Sequence, residues 1–331
     1  MVPDLVADSV ERMGAPVVIA EIVRSGFVEG HHYGSWVALD ADGTVQASAG
    51  DVDGPMLPRS CNKPIQALGM LEAGLDLSDE LLALACASHS GEAFHIEGVR
   101  RILVGAGLSE EALQTPPDYP LDDEVREQLI RSGGSKARIL MNCSGKHAAM
   151  LATCVVNGWP TETYLSMDHP LQQQILATFQ RTTGEPAQGA IDGCGAPLLS
   201  TSLTGLARAF SRIATEGGLE ARIAAAVRAH PEYVSGTHRD ELTLLRAIPG
   251  AIGKAGAESC YVVALPDGRV FASKTDDGAA RARPVVMAAL LERLGVLDEP
   301  GVDGDAVRRT GESVLLGGGR PVGHVQAVGL D

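Results

Sequence analysis

Cys260-Tyr261-Val262-Val263-Ala264-Leu265, then Pro266-Asp267-Gly268, then Val270-Phe271-Ala272: two short runs rich in β-branched and aromatic residues flank a Pro-Asp-Gly turn signal. That pattern reads as a strand, a turn and a second strand. Its counterpart lies at the other end of the chain. Val17-Val18-Ile19-Ala20-Glu21-Ile22-Val23 and Trp36-Val37-Ala38-Leu39 read as strands, and Asp42-Gly43 is a hairpin signal before Thr44-Val45-Gln46-Ala47. Between the two ends the apolar spacing changes to that of helices. Ile65, Leu68, Leu71 and Leu75 share one helical face, Pro64 suits a first turn, and Gly74 suits a stop. Ser78 can cap a second helix, a third runs from Phe94 to Val104, and others follow over residues 122–131, 147–157, 169–182, 202–215 and 219–229. A last long helix is expected from about Ala279 to Leu294.

The order of strands, a helical middle and strands again implies an α/β (α+β) unit. Its central antiparallel sheet is drawn from the N- and C-terminal segments, about residues 15–50 and 250–331, with a helical insertion over about residues 60–245. No internal repeat or low-complexity linker divides the 331 residues, so one domain is expected. Composition agrees: 45% of residues are hydrophobic and 21% charged. No apolar run reaches the roughly 18–20 residues that a membrane helix needs. The acidic start lacks the basic and apolar regions of a secretory signal, so a cytoplasmic location is expected. A net charge of −15 without a basic run speaks against nucleic acid and acidic membranes as partners. The six cysteines form no tight framework, which fits reduced, buried thiols or a catalytic or metal-binding use.

Five stretches carry functional groups. In Ser60-Cys61-Asn62-Lys63 the serine and lysine are three residues apart near a helix start, on one face and close enough to hydrogen-bond. A lysine removed from water can accept the serine proton, and the helix N-terminus favours the developing negative charge. A capping serine beside a surface lysine would give the same spacing. Ala87-Ser88-His89-Ser90-Gly91-Glu92 follows an apolar helix and suits either a ligand-contacting loop or a solvated turn. Asn142-Cys143-Ser144-Gly145-Lys146-His147 and Asp192-Gly193-Cys194-Gly195 offer soft thiolate ligands. A structural zinc site normally takes four Cys or His donors, so buried structural cysteines are the competing reading. Gly253-Lys254-Ala255-Gly256-Ala257-Glu258 leads into the Cys260 strand and has the look of the element that sets a second lysine beside the serine in penicillin-recognising folds. Lys274-Thr275-Asp276-Asp277-Gly278 reads as a turn and helix start.

Taken together and in order, these stretches, with Arg59 and Pro64 flanking the first, resemble the asparaginase II family, the rhizobial-type or class 3 L-asparaginases. The resemblance runs over about residues 21 to 290, and Glu21 and Val28-Glu29-Gly30-His31-His32 are similar to the family's N-terminal pattern. It implies a serine β-lactamase/glutaminase-like fold, a homodimer, and hydrolysis of L-asparagine to L-aspartate and ammonia. It also implies residue roles: Ser60 with Lys63 as one Ser–Lys tandem and Ser88 with Lys254 as the other. Arg59, His89 and Asp192 would bind substrate, and Cys143, Lys146 and Cys194 would hold Zn2+ with water in the fourth place. The departures, Cys61-Asn62 inside the tandem and Gly195-Ala196 after the second cysteine, touch metal occupancy and substrate preference more than reaction type.

The expected chemistry is acyl transfer. Ser60 is favoured as nucleophile with Lys63 as base, while Ser88 and Lys254 pass protons to the leaving ammonia; the opposite assignment, with Ser88 as nucleophile, stays open. Two other functions remain: a glutaminase or β-lactam or peptide hydrolase on the same fold, and a ligand-binding or zinc-sensing scaffold without catalysis.

Overall fold

The structure, a computed structural model, describes residues 14–330. Most of the acidic start that bears on a secretory signal lies outside these residues. The strands are β1 (Val17–Arg24), β2 (Phe27–Leu39), β3 (Val45–Ala49), β4 (Gly189–Ile191), β5 (Pro197–Leu199), β6 (Ile252–Gly256), β7 (Cys260–Ala264), β8 (Val270–Thr275), β9 (Ser313–Gly317) and β10 (Arg320–Ala327). The first helices are α1 (Lys63–Glu72), α2 (Asp79–Ala85), α3 (Ala93–Gly105), α4 (Asp123–Arg131), α5 (Ser144–Asn157) and α6 (Pro170–Thr183). They are followed by α7 (Leu203–Thr215), α8 (Leu219–Ala229), α9 (Pro231–Val234), α10 (Asp240–Ala247), α11 (Ala282–Arg293) and α12 (Gly304–Thr310).

The main sheet runs β6-β7-β8-β2-β1-β10-β9 with β3 also on β2, and its pairs are antiparallel. The two ends of the chain are joined twice, as the strand–helix–strand order implies. Gly34 to Leu39 of β2 pair with Thr275 to Val270 of β8, and Ala20 to Arg24 of β1 pair with Ala327 to Gly323 of β10. Trp36 and Val37 are neighbours on β2 and so point to opposite faces. Trp36 packs with Val285, Val286 and Leu290 of α11, whereas Val37 belongs to the larger core that includes Phe210 of α7. A sheet covered on both faces explains why 36–39 and 260–265 are unbroken apolar runs instead of alternating ones.

Helix α1 is the axis of the helical middle. Its residues Lys63 to Leu71 are all buried, and α6, α8, α5 and α2 pack around it. A helix surrounded in this way has no polar face to spare. Its lysine, Lys63, therefore lies in the interior, whereas Glu72 at its last turn reaches the surface.

Two local expectations are corrected and a third stretch is placed. The Lys254 stretch does not merely lead into a strand but is the strand β6, the edge of the sheet. Lys274 and Thr275 end β8, and the helix expected from Ala279 begins at Ala282. The Asp192-Gly193-Cys194-Gly195 stretch sits in the turn of a small β4–β5 hairpin within the otherwise helical middle.

Candidate active site

Ser60 lies in a single 3-10 turn, Arg59–Asn62, which runs straight into α1. Gly256, the last residue of β6, is pressed against that turn. A Cβ at this position would lie 2.7 Å from Pro58 O and 3.2 Å from Ser60 N. Only glycine lets the sheet edge come this close. Ser88 lies just beyond α2 in a segment pinned by main-chain bonds. Ser88 N–H donates to Val234 O, His89 N–H to Asn142 O and Ser90 N–H to Ser235 O. Ser60 and Ser88 open on one cavity of about 400 Å³, together with Arg59, Asn142, Cys143, Asp192, Cys194, Arg239, Glu258 and Arg283.

Lys63 is buried behind this cavity. Its Nζ donates to Ala87 O at 2.6 Å, to Ser88 Oγ at 2.9 Å and to Cys143 Sγ at 3.0 Å. The lysine three residues after Ser60 thus meets Ser88, which corrects the expected pairing. Its stem reaches across to the loop after α2, and Ser60 Oγ has no hydrogen-bond partner among the described residues. Lys254 likewise does not bond Ser88. Its Nζ donates to Ala255 O at 2.7 Å and pairs with Glu241 Oε1 at 3.1 Å.

His89, expected to bind substrate, is also corrected. Its ring is fully buried and turns away from the cavity. It stacks on His95 with centroids 5.2 Å apart and its Nε2 lies 2.9 Å from Ser144 Oγ. Arg59 and Asp192 do reach the cavity, and they pair there at 2.7 Å. A second carboxylate, Glu258, lies 3.4 Å from the Arg59 guanidinium. Arg59, Glu258 and Ser259 all hold positive φ angles (50°, 55° and 55°), so three strained residues line one mouth.

Cys143, Lys146 and Cys194 come together from the start of α5 and the β4–β5 turn. Lys146 Nζ is 3.2 Å from Cys194 Sγ. The Cys143 thiol facing Cys194 pushes that thiol far below the usual range, aided by the Lys146 charge. Cys143 is pushed up, first by Cys194 and then by burial. Burial works to lower Lys146, but Cys194, Cys143 and Asp192 outweigh it and push it up. Among the described residues no group of three or more His, Cys, Asp or Glu is placed to hold a metal. The two sulfurs and the amine nevertheless suit zinc by donor type, with Lys146 giving up its proton on binding. The buried Nε2 of His147 lies beside Cys194 and brings a further nitrogen to the same place.

Sequence reasoning missed the charged residues behind the cavity. His238-Arg239-Asp240-Glu241 reads as a solvated run, yet Glu241 is only 1% exposed. Arg239 pairs with Glu241 Oε2 at 2.5 Å and donates to Ser88 O at 3.2 Å; Arg283 pairs with Asp240 at 2.5 Å. Burial works to raise Glu241, but Arg239, Lys254 and Arg283 prevail and hold it at about 2.

Solved structures that match include a β-lactamase from Mycobacterium bovis, at 14% identity over 78% of this chain and 94% of that one, TM-score 0.45. Mglu in its native form matches at 13% identity over 79% of this chain, TM-score 0.44; this chain spans 64% of Mglu, less than two thirds. A simvastatin synthase mutant from Aspergillus terreus matches at 10% identity over 73% of this chain and 86% of that one, TM-score 0.33. No curated protein gives a significant match. The family model of L-asparaginase II, however, matches residues 20–327, and the chain belongs to that family of amidohydrolases.

Proposed function

We propose that the protein hydrolyses L-asparagine to L-aspartate and ammonia by serine–lysine acyl transfer. The observation that carries this reading is the buried Lys63 amine, 2.9 Å from Ser88 Oγ, behind a cavity that also presents the unpartnered Ser60 hydroxyl. A serine hydroxyl is a weak nucleophile until a base takes its proton, and the Lys63 amine is such a base in its neutral form, in which Nζ accepts from a serine hydroxyl instead of donating to it.

Ser60 Oγ attacks the side-chain amide carbon and gives its proton to Lys63, whose Nζ turns from Ser88 toward Ser60 to receive it. The oxyanion forms against the Ala255–Ala257 wall of the cavity. The C–N bond then breaks as the nitrogen takes up a proton passed from Lys63 through Ser88, and ammonia leaves. Water attacks the ester, its proton returns to Ser60, and aspartate is released. Asp192 and Glu258 suit the substrate's α-ammonium group, and Arg59 its carboxylate. Cys143, Cys194 and Lys146 would hold zinc, whose charge would help to orient those same groups.

The engagement of Ser88 by Lys63 also supports the reverse assignment, with Ser88 as nucleophile. Ammonia release by Ser60→Ala and Ser88→Ala separates the two. Loss of about 10³-fold or more in kcat for Ser60→Ala is expected. A Ser60→Ala enzyme that keeps most of its turnover while Ser88→Ala loses it makes Ser88 the nucleophile. Glutamine is the second substrate to assay, because a cavity of about 400 Å³ has space for one more methylene. Silence of the wild type on asparagine and glutamine together overturns the reading.

A further inference from the structure

Glu241, at the start of α10, belongs to none of the motifs that mark the site, yet one carboxylate ties three parts of it together. Oε1 accepts from the Ala255 N–H at 2.7 Å and pairs with Lys254 Nζ at 3.1 Å, both on β6. Oε2 pairs with Arg239, whose other arm donates to the carbonyl of Ser88. The side chains of Lys254 and Glu241 are 0% and 1% exposed, so water does not screen the pair.

The geometry points to Glu241 as a positioning residue of the reaction: it keeps Lys254 charged and fixed behind the cavity and, through Arg239, holds Ser88 against Lys63. This rests on the proposed role of Ser88 in passing a proton from Lys63 to the leaving nitrogen. The charged and titratable groups facing Lys254 are Glu241, Arg239, Lys63, Cys61 and Cys86; Arg283, Asp240 and Tyr261 face Glu241 from the other side. Burial pulls Lys254 down, Arg239 and Lys63 pull the same way, and Glu241 is the main group opposing them. Without its carboxylate the lysine would stay buried among cations and lose its proton at lower pH. The separation of β6 from Ser88 would be set by packing alone.

The test uses the full chain and compares wild type, Glu241→Gln and Glu241→Asp. The pH profile of kcat/KM for ammonia release is measured beside the Lys254 titration, followed by NMR of ¹³C-labelled lysine. The expected result for Glu241→Gln is an alkaline limb moved down by about one pH unit or more, with the Lys254 midpoint moving in parallel. KM should change less than kcat, and Glu241→Asp should restore part of the shift. A uniform loss of rate with limb and midpoint unmoved would make Glu241 merely structural and overturn the inference. If the wild type releases no ammonia at any pH, the asparaginase reading fails, and the Lys254 midpoint alone decides the role of Glu241. Should Glu241→Gln be insoluble, the double variant Glu241→Met/Lys254→Met removes both charges. A folded double variant without the alkaline limb supports the pairing, and one with the wild-type profile overturns it.

Discussion

Acidification should unfold this protein through two histidines that sit side by side without water. His89 and His95 are both fully buried, with rings stacked 5.2 Å apart. Ser144 Oγ donates to Ile139 O, so it accepts from His89 Nε2; Glu232 O accepts from His95 Nε2. Each ring is thereby fixed as the neutral Nε2–H tautomer, and each Nδ1 lacks a partner among the described residues. A second proton would create a buried donor with no acceptor. Burial accordingly pushes His95 down to about 4 and His89 well below its usual 6.5. The sign follows from linkage. Below 6.5 the unfolded chain takes up protons that the folded chain refuses, so stability is complete above 6.5 and is lost as pH falls toward 4. For His95 alone, a gap of about 2.5 pH units at roughly 1.4 kcal/mol per unit comes to about 3 kcal/mol, of which about 2 kcal/mol is gone by pH 5. The perturbation is His95→Gln, which can still donate to Glu232 O but does not titrate. Urea unfolding at pH 7.5 and pH 5.0 should show the variant losing about 2 kcal/mol less than wild type over that interval, whatever its stability at pH 7.5. Equal losses in the two proteins would refute the argument.

Two further predictions test the walls of the cavity. Gly256→Ala puts a methyl group 2.7 Å from Pro58 O and 3.2 Å from Ser60 N, so it should cost about 1–3 kcal/mol in thermal unfolding and lower ammonia release by moving Ser60; unchanged activity and melting would show that the contact is slack. Protein purified without chelator should carry zinc on elemental analysis, and Cys194→Ser should lower that content by at least about tenfold. Wild-type protein without zinc, or a Cys194→Ser variant that keeps it, would remove Cys143, Lys146 and Cys194 from the metal role.

The sheet was legible because its strands announce themselves by local chemistry. The 260–272 hairpin has a turn signal, and its partners at 17–23 and 36–39 are apolar enough to be recognised alone. β9 and β10 are harder to read: Ser313–Gly317 and Arg320–Ala327 lie at the sheet's margin and contain Pro321, Gly323 and His324 among half-exposed residues. The motifs named many of the residues that line the cavity, but not who touches whom. Spacing of three put Ser60 beside Lys63 on a helical face. What spacing leaves out is that α1 is buried on every side, so the lysine turns to the loop after α2 for its acceptors. His89 fails for the same reason: a histidine between two serines looks like a ligand-binding group until packing against His95 takes its ring inward. Glu241 was invisible because four charged or polar residues in a row look solvated, and only tertiary contact shows that α10 enters the core with its acid end first.

Burial of a Glu–Lys pair is a poor way to gain stability, since desolvation of both charges offsets most of their attraction, and a packed apolar pair would serve as well. Removing one partner is another matter, at about 3–5 kcal/mol, because the other is left uncompensated. The pair is therefore better explained by how it sets Lys254 apart from Lys63 than by what it adds to the fold. Lys63 meets a carbonyl, a hydroxyl and a sulfur, with no carboxylate beside it among the described residues; Lys254 meets the carboxylate of Glu241. Two identical side chains placed in unlike surroundings need not play the same part, one facing a serine hydroxyl and the other held by a carboxylate. In this fold that difference comes from one residue, Glu241, which stands on a helix whose sequence gives no sign that it reaches the site.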